Sequence, residues 1–589
     1  MTDNSYFKDE LNFLYEARER AAEDFPDIAR FLAIKDSDPD VERLFEGFAF
    51  LTGRLRQKLD DEFPEIIQSM LAFWWPHYLR TVPAMSILEF TPVVAAFSES
   101  KLIDKGTEVQ SKQLDNGQRC RFQTTRQVAM HPLTLSDTEF CDRSSGTHLE
   151  ISFDIWPNAS FSYDAGNTLV FYIEGAHEGA CDLYHFMTHQ TASIQIDVLR
   201  DGLVTGSLEL DKSALIESGF NPDESVIPNT EYVAPGYLSV QEYFCFPEKF
   251  RFVELGGLNQ IVHLIERKQA TELRITFEFD RQASWNVGDV AHPLKLNCVP
   301  IVNLFRGSAK PIFLDHARDQ YRVLPESSKT MHCEFYSIEE VLINGPQYTT
   351  PKTLHAFESF DHVTEDEQNS YYRLHTSRRD KGNGMSTHIS FVDRERDYFG
   401  REGDVMSLDI WCSNGDQPRL IDPGEINVST GTSPEFAKFR NLTRPTVRLL
   451  PPMEKDLLWK LVSNMSINFN TLLNNDSLRN VLGTYDFLGM ENDPAHRRTI
   501  RILRSLEIDH SGPADSLVRG VPVRGIASQI SISRTEVGSL GEVFLFGCVI
   551  REFLSAFAGI NSFHQLSLRE RDSGEVFKWT LNQGSAPIL

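Results

Sequence analysis

The sequence has few cysteines and no close pairs of them. Its eight cysteines are scattered over 589 residues, and no two stand at the CxxC spacing of a structural zinc site or a redox motif. Scattered thiols in a large chain are typical of a reducing compartment rather than of a disulfide-stapled secreted protein. The opening residues, MTDNSYFKDELNF, also lack the apolar stretch of a signal peptide, so we expect a cytoplasmic location.

Positive charge is also scarce. There are 58 Lys and Arg residues against 84 Asp and Glu residues, which gives a formal net charge of -26. Nucleic acids and anionic membranes are bound through clustered positive charge, so this balance argues against both as the main partner. With 41% hydrophobic residues the chain can still form large cores, and its length predicts about two to four domains.

Long hydrophobic runs are absent. The most apolar window, residues 542–560, contains Arg551 and Glu552 near its middle, and the uncharged run before them has only eight residues. A helix that spans a membrane needs about 18 to 20 such residues. The window therefore predicts a buried core helix, and we expect no membrane insertion.

Signatures of catalysis are missing as well. The sequence contains no GxxxxGK[ST] phosphate loop, no GxSxG nucleophile elbow and no HExxH zinc motif. The pairs Asp315-His316 and Asp509-His510 resemble parts of a general-base system, but neither has a nucleophile nearby in the sequence. We therefore expect no enzyme, no catalytic residue and no cofactor, and an enzyme with an unrecognised site stays the distant alternative.

One set of residues has the spacing of metal ligands. His177, Cys181, His185 and His189 recur every four residues, so neighbouring members would share a helix face and could bind zinc. A closed tetrahedral site draws its ligands from more than one element, which a single helix does not provide. Ordinary histidines are the preferred interpretation, and we expect no metal site.

The first 76 residues are predicted to be helical. Apolar residues on one face predict a helix with Pro39 in its first turn, and Pro64 is expected to open a further helix over PEIIQSMLAFWW. That helix must end before Pro76, because the proline ring clashes with the preceding turn. We expect residues 1–84 to form an N-terminal helical arm.

From Met85 the pattern changes to short runs rich in Val, Ile, Phe, Tyr and Thr, such as SILEFTPVV and HLEISFDI. These runs predict antiparallel β structure with an inserted helix at HEGACDLYHFMTHQ. The helical pattern returns after LLPPMEKD and is followed by a strand pair at RGVPVRGIASQISISR. The expected fold is α+β and multidomain, with β-rich regions over residues 85–310 and 311–450 and a C-terminal α+β region over residues 451–589.

Large apolar side chains crowd the arm. Three short helices cannot hide them among themselves, and monomers rarely expose large apolar patches. The candidate interface or junction residues are Phe45, Phe48, Phe73, Trp74 and Trp75. Packing on the chain's own β region is the alternative, and it stays open. Trp74 and Trp75, just before Pro76, are expected to fill the junction between the arm and the first β-rich region.

Longer stretches carry a more specific pattern. They are YFKDELNFLYEARERAAEDFP, DPDVERLFEGFAFLTGRLRQKLDDEFPEIIQSMLAFWWPHYLRTVPAM, GYLSVQEYFCFPEKFRFVEL, NCVPIVNLFRGSAKPIFLDHARDQYRVLP, LWKLVSNMSINF, TYDFL and LFGCVIREFLSAFAGINSFHQLSLRERDSGEVFKW. In this order they resemble the TssF family, the baseplate subunits of the type VI secretion system. A weaker similarity, in KLIDKGTEVQSK and CRFQTT, is to contractile phage-tail baseplate wedge proteins.

The resemblance implies a structural subunit. Two TssF-like copies are expected around one TssG subunit, with TssK and TssE completing a wedge around a VgrG hub, so that tube and sheath assembly can start. The implied location is the cytoplasmic face of the inner membrane, reached through partner proteins. A wedge protein of another contractile injection system or phage tail is the close alternative. Two identical copies in non-equivalent positions would need adaptable connections, so hinge-like segments are expected near residues 80–90 and 445–455.

Overall fold

The fold was analysed in a computed structural model of the chain. It describes residues 7–8, 10–17, 39–93, 96–143, 146–161, 167–228, 235–282, 293–315, 318–327, 331–345, 350–357, 370–379, 384–393, 403–451, 461, 474–487, 494–518, 520–559 and 561–584. Within these ranges the chain is α+β, with mostly antiparallel sheets, which confirms the expected fold class.

The N-terminal region is dominated by one long helix, α1 (Pro39–Trp74). Its end confirms the expectation drawn from Pro76, because Trp75 leaves helical geometry at φ -135° and ψ 60°, and Pro76 opens a short 3-10 helix (Pro76–Leu79). The expectation that Pro64 opens a separate helix was wrong, because Pro64 lies in the interior of α1. A proline removes one backbone hydrogen bond, and the others continue the 36-residue helix on both sides of it.

Three sheets form the middle of the molecule. The first sheet has six strands, in the order Ile426–Ser429, Glu108–Ser111, Arg121–Thr124, Cys298–Val302, Met85–Pro92 and Ala437–Asn441. The second has five, in the order Leu203–Leu210, Thr191–Arg200, Glu272–Phe279, Gly146–Ile155 and Leu133–Arg143. The third has four, in the order Leu215–Ser218, Phe252–Gly256, Thr168–Ile173 and Leu294–Leu296. The first sheet therefore joins strands from both predicted β-rich regions.

The remaining strands form three further sheets. An eight-stranded sheet runs Phe305–Ser308, Val405–Ser413, Glu334–Asn344, Lys352–Ala356, Ser370–Arg378, Met385–Asp393 and Tyr321–Arg322, with Ile312–Phe313 beside Val405–Ser413. A two-stranded sheet pairs Lys101–Ile103 with Val128–Met130. The C-terminal sheet runs Glu507–Val518, Val521–Ile532, Phe563–Glu570 and Val576–Lys578, with Asn582–Gln583 beside Phe563–Glu570.

Among the described residues, seven further helices have defined bounds and connect or cover these sheets. They are α2 (His177–His189), α3 (Pro235–Cys245), α4 (Leu258–Lys268), α5 (Asn475–Gly483), α6 (Pro494–Ser505), α7 (Arg534–Val537) and α8 (Leu540–Ser555). The inserted helix expected at HEGACDLYHFMTHQ is α2, and the apolar window at residues 542–560 forms the largely buried α8. Ser539 caps α8, since its side chain accepts a hydrogen bond from the Glu542 backbone N–H. Short 3-10 helices lie at Lys212–Ala214, Pro222–Glu224, Pro247–Phe250 and Gln417–Leu420.

The C-terminal region differs from its prediction in one detail. The segment expected to hold two strands contains one, Val521–Ile532, and its antiparallel partner is the preceding Glu507–Val518. On its other side Val521–Ile532 pairs in parallel with Phe563–Glu570, after a connection through α7 and α8. Most of the helix expected after LLPPMEKD, residues 452–460 and 462–473, lies outside the described part of the chain.

The two expected hinge segments pair with each other. Val82 and Leu449 exchange backbone hydrogen bonds of 2.8 and 3.0 Å, and the Thr446 N–H donates to the Met85 carbonyl at 2.8 Å. Met85 then begins a central strand of the first sheet, and Val82, Met85 and Leu449 are all buried. Hinges are drawn from weakly packed backbone, and the described parts of these two segments are paired and buried instead. Residues 452–455 lie outside the described part of the chain, and the expected adaptation between two copies stays a prediction.

Candidate interaction surface

The first part of α1 carries an exposed apolar stripe. Leu44, Phe48 and Leu51 are 72%, 58% and 66% exposed. Their spacing of i, i+4 and i+7 places them on one face of the helix, and Phe50 adds a further exposed ring nearby. We call Leu44, Phe48 and Leu51 the arm stripe. Isolated apolar residues on a surface are ordinary, but a contiguous stripe on one helix face is a candidate for an interaction site.

The C-terminal part of the same helix is anchored to the body of the protein. Ile67 and Leu71 are buried in the largest hydrophobic core, together with residues of the second and third sheets and of α8. The Arg373 guanidinium of the eight-stranded sheet donates a hydrogen bond to the Ser69 hydroxyl. One end of α1 is therefore part of the folded body, while the arm stripe lies on its exposed part.

An aromatic cluster joins α1 to the helices of the body. We call it the aromatic junction; its members are Trp75, His77, Tyr78, Tyr237, Tyr485, Phe487, Phe553 and Phe557. The Trp75 ring lies 5.4 Å from Tyr237, and Tyr237 in turn lies 6.0 Å from Tyr485. Tilted and edge-to-face ring pairs at these distances add stabilisation beyond the area that they bury. The junction thus ties the end of α1 to α3, α8 and the turn after α5.

Two members of the junction are polar but deeply buried. The Tyr78 hydroxyl donates a hydrogen bond to the Thr484 carbonyl, and its ring packs edge-on against Phe487 at 4.9 Å. His77 stacks on Tyr485, and neither of its ring nitrogens has a hydrogen-bond partner among the described residues. Burial, helped by the neighbouring Arg80 cation, lowers the pKa of His77 to about 3. His77 is therefore neutral at physiological pH.

Two glycines allow the helices behind the junction to come close together. A Cβ atom on Gly236 of α3 would lie 2.5 Å from the Glu552 carbonyl oxygen of α8. A Cβ atom on Gly541 of α8 would lie 2.2 Å from the Cys181 backbone of α2. These separations are shorter than carbon and oxygen atoms tolerate, so a side chain at either position would force the helices apart.

The structure separates the five residues that the sequence singled out. Phe48 is exposed in the arm stripe, and Phe45 and Phe73 are half-buried. Trp75 lies in the aromatic junction, whereas the Trp74 side chain lies outside the description even though its backbone ends α1. Their role as interface residues stays a prediction.

Sequence reasoning missed the partners of Trp75. Tyr237 and Tyr485 are far from Trp75 in the chain and carry no motif of their own, so pattern alone could not join them. Both fall within the stretches GYLSVQEYFCFPEKFRFVEL and TYDFL, which carried the family resemblance. The order of these stretches along the chain does not show that they are in contact in the folded protein.

The three histidines of α2 that have the spacing of metal ligands contact other protein side chains. The His177 ring lies between Arg251 and Glu542, with its Nδ1 at 2.6 Å from Arg251 Nη2 and its Nε2 at 3.1 Å from Glu542 Oε1. His185 and His189 pack against Phe544 and Phe577. Within the described ranges no group of three or more His, Cys, Asp or Glu residues could hold a metal ion.

The two Asp-His pairs show no catalytic arrangement in the parts that are described. Asp315 accepts a hydrogen bond from the Tyr321 hydroxyl at 2.9 Å, and His316 lies outside the described residues. Asp509 accepts a hydrogen bond from the Ser531 hydroxyl at 2.7 Å, across neighbouring strands. Among the helices of the described ranges, none combines the length and the apolar character needed to cross a bilayer.

Solved structures identify the class of protein that has this fold. The chain is similar to a chain of a type VI secretion system TssK-TssF-TssG baseplate subcomplex, with a TM-score of 0.77 and 25% sequence identity over 93% of this chain and 99% of that one. A chain of a type VI secretion baseplate complex matches in fold with a TM-score of 0.58 and 23% identity, over 99% of this chain and 100% of that one. The fold is that of a baseplate component of a contractile secretion machine.

Sequence comparison identifies the family. The TssF model of the type VI secretion system matches residues 2–586. The type VI secretion system component TssF1 of Pseudomonas aeruginosa is 27% identical, over 99% of both chains. The chain belongs to the TssF family. This confirms the resemblance that the sequence stretches carried, and it favours the type VI system over other contractile machines.

Proposed function

We propose that this chain assembles with TssK and TssG into a baseplate wedge and acts there through binding rather than catalysis. The subcomplex that contains the similar chain is a TssK-TssF-TssG assembly. In the proposed wedge two copies of this chain pair around one TssG, TssE contacts the sheath, and six wedges surround a VgrG hub. The wedge sits at the cytoplasmic face of the inner membrane, held there by its partners.

The observation that carries this proposal is the arm stripe on a helix whose other end is fixed. Leu44, Phe48 and Leu51 are more than half exposed, yet Leu71 at the far end of the helix is fully buried. Complete burial of a Leu or Phe side chain contributes about 1.5 to 3 kcal/mol. Since each stripe residue is already partly covered, docking on the stripe would contribute about 3 to 6 kcal/mol in total. That is enough to decide whether a complex survives purification.

The experiment replaces the stripe with polar residues that still favour a helix. The triple variant Leu44→Gln, Phe48→Gln and Leu51→Gln is co-expressed with TssG and TssK, and the amount of each partner that co-purifies is measured. We expect a loss of about a hundred-fold in affinity, which corresponds to about 3 kcal/mol.

The chain offers a closely matched control. Leu203, Phe313 and Leu420 are 72%, 66% and 58% exposed. Like the arm stripe they are two leucines and one phenylalanine of similar exposure, but they lie in three different places. Their triple glutamine variant should keep its partners. Equal co-purification of the wild type and the arm-stripe variant would contradict the role of the stripe. Failure of the wild type to co-purify with TssG or TssK would contradict the proposed function itself.

A further inference from the structure

One face of α6 presents three arginines to solvent. Arg497, Arg501 and Arg504 stand at i, i+4 and i+7 and are exposed, whereas Ile502 and Leu503 on the other side are buried. A span of seven residues on a helix covers about 10 Å. The helix, PAHRRTIRILRS, contains no acidic residue. We call Arg497, Arg501 and Arg504 the basic stripe.

The basic stripe differs from the fourth arginine of the helix. Arg498 points inward and lies 3.4 Å from Oε1 of the buried Glu542, so its charge is compensated within the fold. Across the part of the chain that the structure describes, no side-chain ion pair or hydrogen bond compensates Arg497, Arg501 or Arg504. These charges face solvent in a chain whose net charge is -26.

Helix stability does not explain the basic stripe. Arg497 stands in the N-terminal part of α6, where the helix dipole disfavours positive charge. Like charges four residues apart, such as Arg497 and Arg501, also destabilise a helix. Only Arg504, in the last turn, is placed favourably with respect to the dipole. Arg497 and Arg501 therefore oppose the local stability of α6, so the stability of the helix does not account for their presence.

The C-terminal end of the helix under the basic stripe is hydrogen-bonded to neighbouring elements. Arg479 donates a hydrogen bond to the Leu506 carbonyl at 2.6 Å, and Arg571 donates to the Ser505 carbonyl, also at 2.6 Å. These two guanidiniums satisfy carbonyl groups at the C-terminal end of the helix. A rigid helix presents its side chains at a fixed spacing, which lowers the entropy cost of binding.

We propose that the basic stripe docks an acidic helix of another baseplate subunit, one that carries carboxylates at the same i, i+4 and i+7 spacing. This inference rests on the proposed function. Guanidinium groups pair with carboxylates through two parallel hydrogen bonds, and a neighbouring helix matches the length and spacing of the stripe. A nucleic acid or an anionic membrane carries negative charge over a wide area and would also face the acidic surface of a chain whose net charge is -26, whereas a single helix with carboxylates at this spacing meets mainly the three arginines.

The test uses the full-length chain co-expressed with TssG and TssK. In the triple variant Arg497→Glu, Arg501→Glu and Arg504→Glu we expect co-purification of at least one partner to fall about ten-fold or more at about 0.15 M salt. In the control variant, Arg119, Arg322 and Arg419 are replaced with glutamate. These arginines are also exposed and have no side-chain hydrogen bond or ion pair in the described structure, but they lie far apart in the sequence. The control variant makes the same change in net charge and should keep its partners.

A neutral variant separates binding from folding. Replacing the three stripe arginines with glutamine removes their mutual repulsion, so the melting temperature should stay the same or rise while partner binding weakens. A fall in melting temperature that accompanies the loss of binding would overturn the inference, because the stripe would then be structural.

Each remaining result of the co-purification and binding tests also supports or contradicts the docking role of the basic stripe. If the wild type co-purifies and the reversed variant does so equally, the basic stripe has no docking role and the proposed function stands. An equal loss in the control variant would show a general charge effect and overturn the inference. Stripe-dependent binding to phosphatidylglycerol vesicles, or stripe-dependent self-association without partners, would assign the stripe to a membrane or to a second copy instead. A wild type that binds neither TssG nor TssK would remove the proposed function together with this inference.

Discussion

Removing the Trp75 ring tests the aromatic junction most directly. Complete removal of a buried Trp side chain costs about 3 to 5 kcal/mol, and Trp75 is half-buried, so about half of that cost applies. Its ring pair with Tyr237, at 5.4 Å, adds about 0.5 to 1.5 kcal/mol. We therefore expect Trp75→Ala to lower the free energy of unfolding by about 2 to 4 kcal/mol, and Trp75→Phe by less.

The pairwise part of that effect can be isolated with a double-mutant cycle. Trp75→Ala, Tyr237→Ala and the double variant are unfolded in urea and followed by circular dichroism, and amide hydrogen exchange is measured over residues 67–74. We expect a coupling energy of about 0.5 to 1.5 kcal/mol between the two rings and faster exchange in that end of α1. Trp411, a half-buried tryptophan in the eight-stranded sheet, provides the control, because Trp411→Ala should show no coupling to Tyr237. Additive effects within about 0.3 kcal/mol, with unchanged exchange, would refute the junction.

Three further results are expected. Gly236→Ala should destabilise the protein by about 1 to 3 kcal/mol, because the new Cβ atom would meet the backbone of α8. Gly47→Ala is the control: a Cβ atom there would have nothing within 4 Å, so this variant should stabilise α1 by about 0.5 to 1 kcal/mol. Thermal unfolding measures both effects. The pKa of His77 is lowered from 6.5 to about 3, so the stability that depends on its neutral form is fully present above pH 6.5. As the pH falls from 6.5 toward 3, the free energy of unfolding should decrease by up to about 1.4 kcal/mol per pH unit. In His77→Phe the free energy of unfolding should depend less on pH over this range. Trp74→Ala combined with Trp75→Ala should weaken binding of TssG and TssK in pull-downs, and unchanged binding would make the doublet ordinary core.

Local patterns predicted the elements of this fold well. The periodicity of α2 and of the apolar window that became α8 depends on residues that are close together in the chain, and so does the end of α1 before Pro76. The prediction that Pro64 opens a helix was wrong, because the preference of proline for a first helical turn is statistical and hydrogen bonds on either side continue the long helix past it.

Pairing between distant segments could not be predicted in the same way. The strand Met85–Pro92 lies between Cys298–Val302 and Ala437–Asn441, which are more than two hundred residues further along the chain. Nothing in its apolar pattern identifies those neighbours. The division into residues 1–84, 85–310, 311–450 and 451–589 stays a prediction, and limited proteolysis would test it. The shared first sheet gives a reason to expect no cut between the two β-rich regions.

The pairing of the two segments once expected to be hinges changes where adaptation should occur. Opening the chain there would break the Val82–Leu449 and Met85–Thr446 backbone hydrogen bonds, at about 0.5 to 1.5 kcal/mol each, and would expose the buried Val82, Met85 and Leu449 side chains. In the N-terminal part of α1, by contrast, Ala49 and Gly53 are the buried residues among the described side chains of residues 43–53, so moving this part would uncover less apolar surface. If two copies occupy different positions in the proposed wedge, their sheets should superpose closely and their α1 helices should diverge toward the N-terminal end. A structure of the wedge in which the copies instead differ across residues 80–90 or 445–451 would show that this pairing is weaker than its burial implies.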